Sequence, residues 1–160
     1  MAEQESANSS ELQLVIFRLG AEEFGVEITR VKEIIRMQEI TRVPRAPHFL
    51  EGVINLRGKI IPVIDLRKRL GWKAADLDHK ARIIVIENRG SLTGFIVDAV
   101  TEVLRVPEQT SELPRSLTTD VNQRFITAIG IVGERLIILL DMDHILSLDE
   151  RQAVQETVSA

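Results

Sequence analysis

The chain has 160 residues, 44% of them apolar and 28% charged, with a formal net charge of −4. That length makes one domain, or two small halves that share a core. No cysteine is present and no apolar run approaches the ~20 residues a membrane helix needs, so disulfides, thiolate metal sites and a membrane span are excluded, while the acidic balance argues against a phosphate-binding surface.

The N-terminal stretch MAEQESANSSE is polar and acidic, without a basic start or an apolar h-region. It predicts a flexible tail over residues 1–11, no secretory signal and, with the missing cysteines, a cytoplasmic location. Residues 12–19, LQLVIFRL, are rich in β-branched and aromatic side chains; a GAEE turn follows, and then Phe24, Val26 and Ile28 alternate with Gly25 and Glu27. This pattern predicts a β-hairpin. Apolar runs at 53–56 and 60–64 flank Arg57 and Gly58, where glycine supplies the positive φ of a tight turn, so Arg57 is placed at a hairpin tip. Basic residues 67–69 read as the solvated face of a short helix over 66–70. Further strands are predicted over 82–87, 94–98 and 135–141, separated by turn chemistry at NRGS and VGER. A second short helix is predicted over 142–146, and a C-terminal one is opened by Ser147 and Glu150 at capping-box spacing. Short, evenly spaced strands favour small barrels over a parallel α/β sheet.

The two halves resemble each other, which is the pattern of an internal repeat. GVEITRVKEI from Gly25 aligns without gaps on GFIVDAVTEV from Gly94, matching Val31 with Val100 and Glu33 with Glu102. FLEGVINLRGKIIPVIDLRKRL from Phe49 aligns on FITAIGIVGERLIILLDMDHIL from Phe125, matching Ile61 with Ile137, Asp65 with Asp141 and Leu70 with Leu146. The runs 60–64 and 136–140 are too continuously apolar for sheets with one face in water, so the two copies are expected to pack on each other. In this alignment Arg57 lies opposite Gly133, so the hairpin can be built without an arginine. Glu33 has its counterpart in Glu102, which favours a local structural role.

Catalytic motifs fail on inspection. GVINLRGKI separates Gly52 from Gly58 by five residues instead of the four of a phosphate loop, has Ile60 in place of the magnesium-binding hydroxyl, and leads into a strand. DMDHILSLDE begins like a calcium loop but has Ile145 at a ligand position and Leu146 where the sharp turn needs glycine. His48, His79 and His144 lack metal-ligand spacing, and no G-x-S-x-G elbow occurs. No catalytic residue, metal site or cofactor is predicted. A small-ligand sensor is also disfavoured: Trp72 is the one tryptophan, there is no tyrosine, and no aromatic-lined pocket is suggested.

EEFGVEITRVKEII, ITRVPRAPHFLEGVINLRGKIIPVIDLRKRL and GFIVDAVTEVL, in that order and spacing, resemble the bacterial chemotaxis coupling family CheW. The resemblance implies an all-β fold of two SH3-like five-stranded β-barrel subdomains packed side by side, with a short C-terminal helix. Approximate limits are 12–80 for the first, 81–147 for the second and 148–160 for the helix and tail, within one domain whose strands are free to be shared. It implies a non-catalytic adaptor, without cofactors, that couples chemoreceptor cytoplasmic tips to the regulatory domain of the histidine kinase CheA. The alternative is an adaptor of a non-flagellar pathway such as twitching motility. Carried over residue by residue, the family's receptor-contacting groove falls on Val31, Glu33, Arg57 and Val103, with Gly52 and Gly58 serving the backbone nearby. The two valines read equally well as core packing, and kinase contacts are left unassigned. A cytoplasmic monomer recruited to membrane-associated receptor arrays, without nucleic-acid binding or membrane insertion, completes the expectation.

Overall fold

The computed structural model describes residues 11–73, 75–88, 90–107 and 125–159. The strands are β1 (Glu11–Leu19), β2 (Glu22–Glu27), β3 (Val31–Arg36), β4 (Leu50–Leu56), β5 (Lys59–Asp65), β6 (Arg82–Asn88), β7 (Ser91–Val97), β8 (Ala99–Pro107), β9 (Ile126–Val132) and β10 (Arg135–Leu140). A 3-10 turn, Ile28–Arg30, joins β2 to β3; helix α1 (Leu66–Arg69) follows β5, and α2 (Leu148–Ser159) is the last described element. The expected tail lies outside the described residues except for Glu11, which already begins β1.

Two five-stranded sheets form, with orders β8-β1-β2-β10-β9 and β3-β6-β7-β5-β4. Adding five to each strand number of the second sheet, modulo ten, reproduces the first. The repeat is therefore structural, and its copies exchange strands: the β1–β2 hairpin joins β8, β9 and β10, while β6–β7 joins β3, β4 and β5. The limits 12–80 and 81–147 divide the chain but not the sheets. Parallel pairing of β2 with β10 and of β7 with β5 closes the exchange, with Gly25 opposite Leu139 and Gly94 opposite Val63. A Cβ at Gly25 would stand 3.1 Å from Leu139, and one at Gly94 2.7 Å from Ile83. These aligned glycines let strands approach where a side chain would not fit. Even the bulges recur, at Lys32 and Thr101 and again at Glu51 and Thr127, each pair occupying one repeat position.

Each sheet has a core of its own, with Ile54, Ile61 and Val85 in one and Leu14, Ile16 and Ile137 in the other. A larger core joins the sheets and includes Phe17, Phe24, Ile84, Phe95, Ile138 and Val154. Burying each such side chain contributes roughly 1.5–3 kcal/mol, so the shared core binds the two copies together. Residues 61–64 and 137–140 are buried as their apolar runs predict, but the first residue of each run is not: Ile60 is 51% and Leu136 48% exposed.

Polar contacts fasten the joint. Arg67 on α1 donates from Nε (3.0 Å) and Nη2 (2.5 Å) to Asp98, which also accepts from the Gly20 amide at 2.8 Å. Partial burial pushes the Asp98 carboxyl up, but Arg67 and the Gly20 N–H outweigh it and hold the group below its ordinary range. Arg69 lies between the rings of Phe49 and Phe125, at 5.4 and 4.6 Å, donates to the Ile145 carbonyl at 2.6 Å and pairs with Glu150 at 2.9 Å. Phe49 and Phe125 are repeat counterparts, as are Arg69 and Ile145, so Arg69 bridges one counterpart pair and touches its own counterpart.

Local signals hold where caps define them. Asp65 accepts from the amides of Arg67 and Lys68 and opens α1. Ser147 and Glu150 form the reciprocal capping box, at 3.1 and 2.7 Å. The helix expected over 142–146 is instead a series of turns and bends. Asp141 caps the amide of Asp143, but Ser147 is itself an N-cap and must leave helical geometry, so too few residues remain between the two caps for a helix. Ile28 likewise leaves β2 for the 3-10 turn. The chain-order pattern does not separate strands β3, β8 and β9, although the repeat alignment overlaps all three.

Candidate interaction site

The site is built on the β4–β5 hairpin. Leu56 pairs with Lys59, leaving Arg57 and Gly58 as a two-residue loop with φ of 52° and 86°. Positive φ at both central positions is the sign pattern of a type I′ turn. Gly58 suits it, and its amide donates to Asn55 Oδ1 at 2.8 Å. Arg57 does not, because a left-handed residue with a Cβ costs roughly 1–2 kcal/mol. In the β9–β10 hairpin, Gly133 has φ of 62° and Glu134 is not left-handed, the pattern of a type II′ turn. The second copy thus turns with glycine at the position where the first holds a strained arginine.

Arg57 reaches Glu33 on β3 and pairs with it; the guanidinium side chain is 72% exposed and the carboxylate side chain 27%. Because β3 and β4 lie at opposite ends of their sheet's strand order, the pair links the two ends. Thr41, in the segment that follows β3, adds a bridge to Val53 on β4 through two backbone hydrogen bonds of 2.9 Å. Gly52 makes that approach possible: at its φ of 153° a Cβ would lie 2.1 Å from the Thr41 carbonyl oxygen. Its counterpart is Ala128, where a Cβ is accommodated.

The four sequence-predicted residues are not all gathered alike. Glu33 and Arg57 touch. Val31, on the same strand as Glu33, is half-buried against the shared core, whereas Val103, on β8 of the other sheet, is 51% exposed. Core packing therefore describes Val31 in part and Val103 poorly. Sequence reading missed Ile34, Ile60 and Asn55. Ile34 is 39% exposed beside Glu33, and the alternation of Lys32, Ile34 and Arg36 on one face of β3 was the available signal. Lys32 adds a pair with Glu87 on β6 at 3.7 Å.

The counterpart acid is held differently. Glu102 accepts from Arg135 Nη1 at 2.7 Å, while the same guanidinium makes a fork on Glu23 at 3.0 and 2.7 Å. Hydrogen bonding to Glu23 and Glu102 raises the Arg135 pKa further, and Arg135 in turn lowers that of Glu23. Arg135 is committed to two acids; Arg57, among the described residues, is committed to one.

The histidines are apart from one another in role: His144 pairs with Asp141 at 2.6 Å, His48 lies edge-on to Phe49, and the His79 carbonyl accepts from Arg82. Among the described residues no group of three or more potential ligands could hold a metal, and no helix is long and apolar enough to cross a membrane.

Comparison with known proteins accords with this geometry. The profile of the CheW-like domain family matches residues 13–150. The chain is 36% identical over 148 residues to the probable chemotaxis protein CheW of Rhizobium etli, covering 92% of this chain and 96% of that one. It is 35% identical to the chemotaxis protein CheW of Klebsiella aerogenes, over 92% of this chain and 89% of the relative, and 29% identical to protein FrzA of Myxococcus xanthus, over 90% and 91%. The crystal structure of the scaffolding protein TtCheW from Thermoanaerobacter tengcongensis superposes with a TM-score of 0.79 at 37% identity, over 87% of this chain and 90% of that one. With the family profile spanning most of its length and two such relatives agreeing, the chain belongs to the CheW-like family of chemotaxis proteins.

Proposed function

We propose that this protein is a non-catalytic cytoplasmic adaptor that couples the cytoplasmic tips of chemoreceptors to the regulatory domain of the histidine kinase CheA. The observation that carries the reading is Arg57: a largely exposed guanidinium held at positive φ on a hairpin tip whose counterpart is glycine. Strain kept at an exposed position points to use by a partner. Of its five N–H groups, the contact to Glu33 occupies the Nη2 end, and among the described residues nothing else engages the remainder, which can make directional, charge-assisted bonds to a receptor helix. Val31 and Val103 then supply apolar contacts in the manner of a helix laid in a groove, and Glu33 aims the arginine. Gly52 and Gly58 shape the hairpin without touching the partner. A second reading is the same adaptor role in a non-flagellar chemosensory pathway, in keeping with a set of relatives that extends beyond proteins named for chemotaxis to protein FrzA.

Pull-down of the full chain by a receptor cytoplasmic fragment and, separately, by the kinase regulatory domain tests the proposal. Capture by both, with kinase activation that requires all three components, is expected; capture by neither contradicts it. In isolation the protein is expected to run as a monomer in light scattering at micromolar concentration, its partner surfaces being of modest area.

A further inference from the structure

A cavity of about 220 Å³ opens between the β6–β7 hairpin and α2. Its apolar wall is made by Ile86, Phe95, Ile145, Leu146 and Val154, all buried. Asn88, Ser91, Thr93 and Gln155 give it a neutral polar rim, and Arg151 also lines it.

The repeat shows what size of group belongs in such a place. Cross-strand partners Ile86 and Thr93 of the β6–β7 hairpin correspond to cross-strand partners Phe17 and Phe24 of β1–β2. In the β1–β2 copy the two rings stack at 5.7 Å and Trp72 lies against Phe24 at 5.9 Å, so three aromatic side chains fill the space. In the other copy a β-branched aliphatic and a threonine stand in for two of those rings, and the cavity lies on them. A cavity of about 150 Å³ lined by apolar side chains suffices for benzene. This one is larger, has hydrogen-bonding groups along one side, and carries a guanidinium that favours an electron-rich ring.

We propose that this cavity is a binding site for a free small molecule built on a fused aromatic ring of indole size, its ring against Ile86, Phe95 and Val154 and its polar edge toward Asn88, Thr93 and Gln155. The site is apart from the Arg57 hairpin and is read on the isolated protein, so its fate is independent of receptor or kinase coupling.

Indole is the probe, titrated into the full-length protein while methyl resonances are followed by NMR. Saturable shifts concentrated at Ile86, Ile145, Leu146 and Val154, with a Kd at or below about 1 mM, are expected for a ligand this small in a preformed pocket. Thr93→Phe and Ile86→Phe, each borrowed from the other hairpin, should fill the space and weaken binding about tenfold or more while leaving the thermal midpoint unchanged or higher. Absence of saturable shifts up to about 5 mM, shifts scattered over other methyls, or undiminished binding in either folded variant would overturn the proposal. The map of wild-type shifts decides the matter even where a variant does not fold.

Discussion

The β4–β5 and β9–β10 hairpins occupy one position in the repeat, yet their tips and their ion pairs differ. One turns on Arg57–Gly58 and reaches Glu33 from the tip; the other turns on Gly133–Glu134 and reaches Glu102 from Arg135, at the start of β10. An acid on the third strand of each copy met by an arginine from the last hairpin is thus a shared feature of the fold, and pairing alone does not distinguish Arg57. Exposure and backbone do. Arg135 is fixed in a three-group cluster on a relaxed strand, whereas Arg57 is 72% exposed and left-handed. The difference separates an arginine that the fold uses from one that the fold tolerates.

The largest contrast should appear at the next pair of counterparts. Gly52→Ala places a Cβ 2.1 Å from the Thr41 carbonyl and is expected to destabilise by about 3 kcal/mol or more. Ala128→Gly, the reciprocal change, should cost no more than about 1 kcal/mol. Denaturant melts of the two variants measure the asymmetry, and equal costs would mean that the copies pack alike at this point.

Arg69 and Ile145 form a second unequal pair. Arg69→Met keeps an unbranched stem but loses the two ring contacts, the bond to the Ile145 carbonyl and the pair with Glu150, for an expected loss of about 2–3 kcal/mol. A thermal midpoint within error of the parent would show that the guanidinium does not hold the copies together.

Much of this was legible in the sequence. The repeat, both hairpin turns, the capping box and most buried runs rest on short-range signals: glycine at turns, β-branched runs, and Ser147 three residues before Glu150. Sharing of strands was allowed for, but which strands the copies exchange was not legible, since β2 meets β10 and β7 meets β5 through pairings more than thirty residues distant in each case, and nothing local to Gly25 or Gly94 names the partner strand. At the candidate site, Glu33 and Arg57 were both selected, but their contact crosses the ends of a sheet whose order was unknown. Ile34 and Ile60 were missed because apolar side chains at strand positions read as core, and exposure of a single face depends on what the neighbouring strands cover.

A titration sharpens the comparison of the two carboxylates that meet α1, Asp98 through Arg67 and Asp65 as its cap. Asp98 has a folded-state pKa below its unfolded value, so its contribution is present above the ordinary carboxylate range and is lost as pH falls through the folded value. Asp65 is shifted the other way, burial being the largest cause, so its contribution is present in acid and lost as pH rises. Asp98→Asn should lower stability by about 1.5–3 kcal/mol at neutral pH, with the gap to the parent narrowing in acid. A gap independent of pH would remove the Arg67–Asp98 pair from the account.

The smallest change in stability should accompany the largest change in function. Arg57→Gly gives the first hairpin the residue that Gly133 gives the second. Loss of an exposed ion pair, worth about 0–1 kcal/mol, is offset by relief of the left-handed residue, so unfolding free energy should shift by less than about 1 kcal/mol and toward greater stability if at all. Arg57→Ala, which keeps the strain, should also shift it by less than about 1 kcal/mol. Receptor-dependent kinase activation, measured in a reconstituted mixture of receptor fragment, this protein and kinase, should fall by about tenfold or more in both variants, as loss of a charge-assisted contact of roughly 1.5–3 kcal/mol requires. Normal activation by a stably folded Arg57→Gly protein would contradict the assignment of Arg57 to recognition, and so would a variant that fails to activate only because it unfolds.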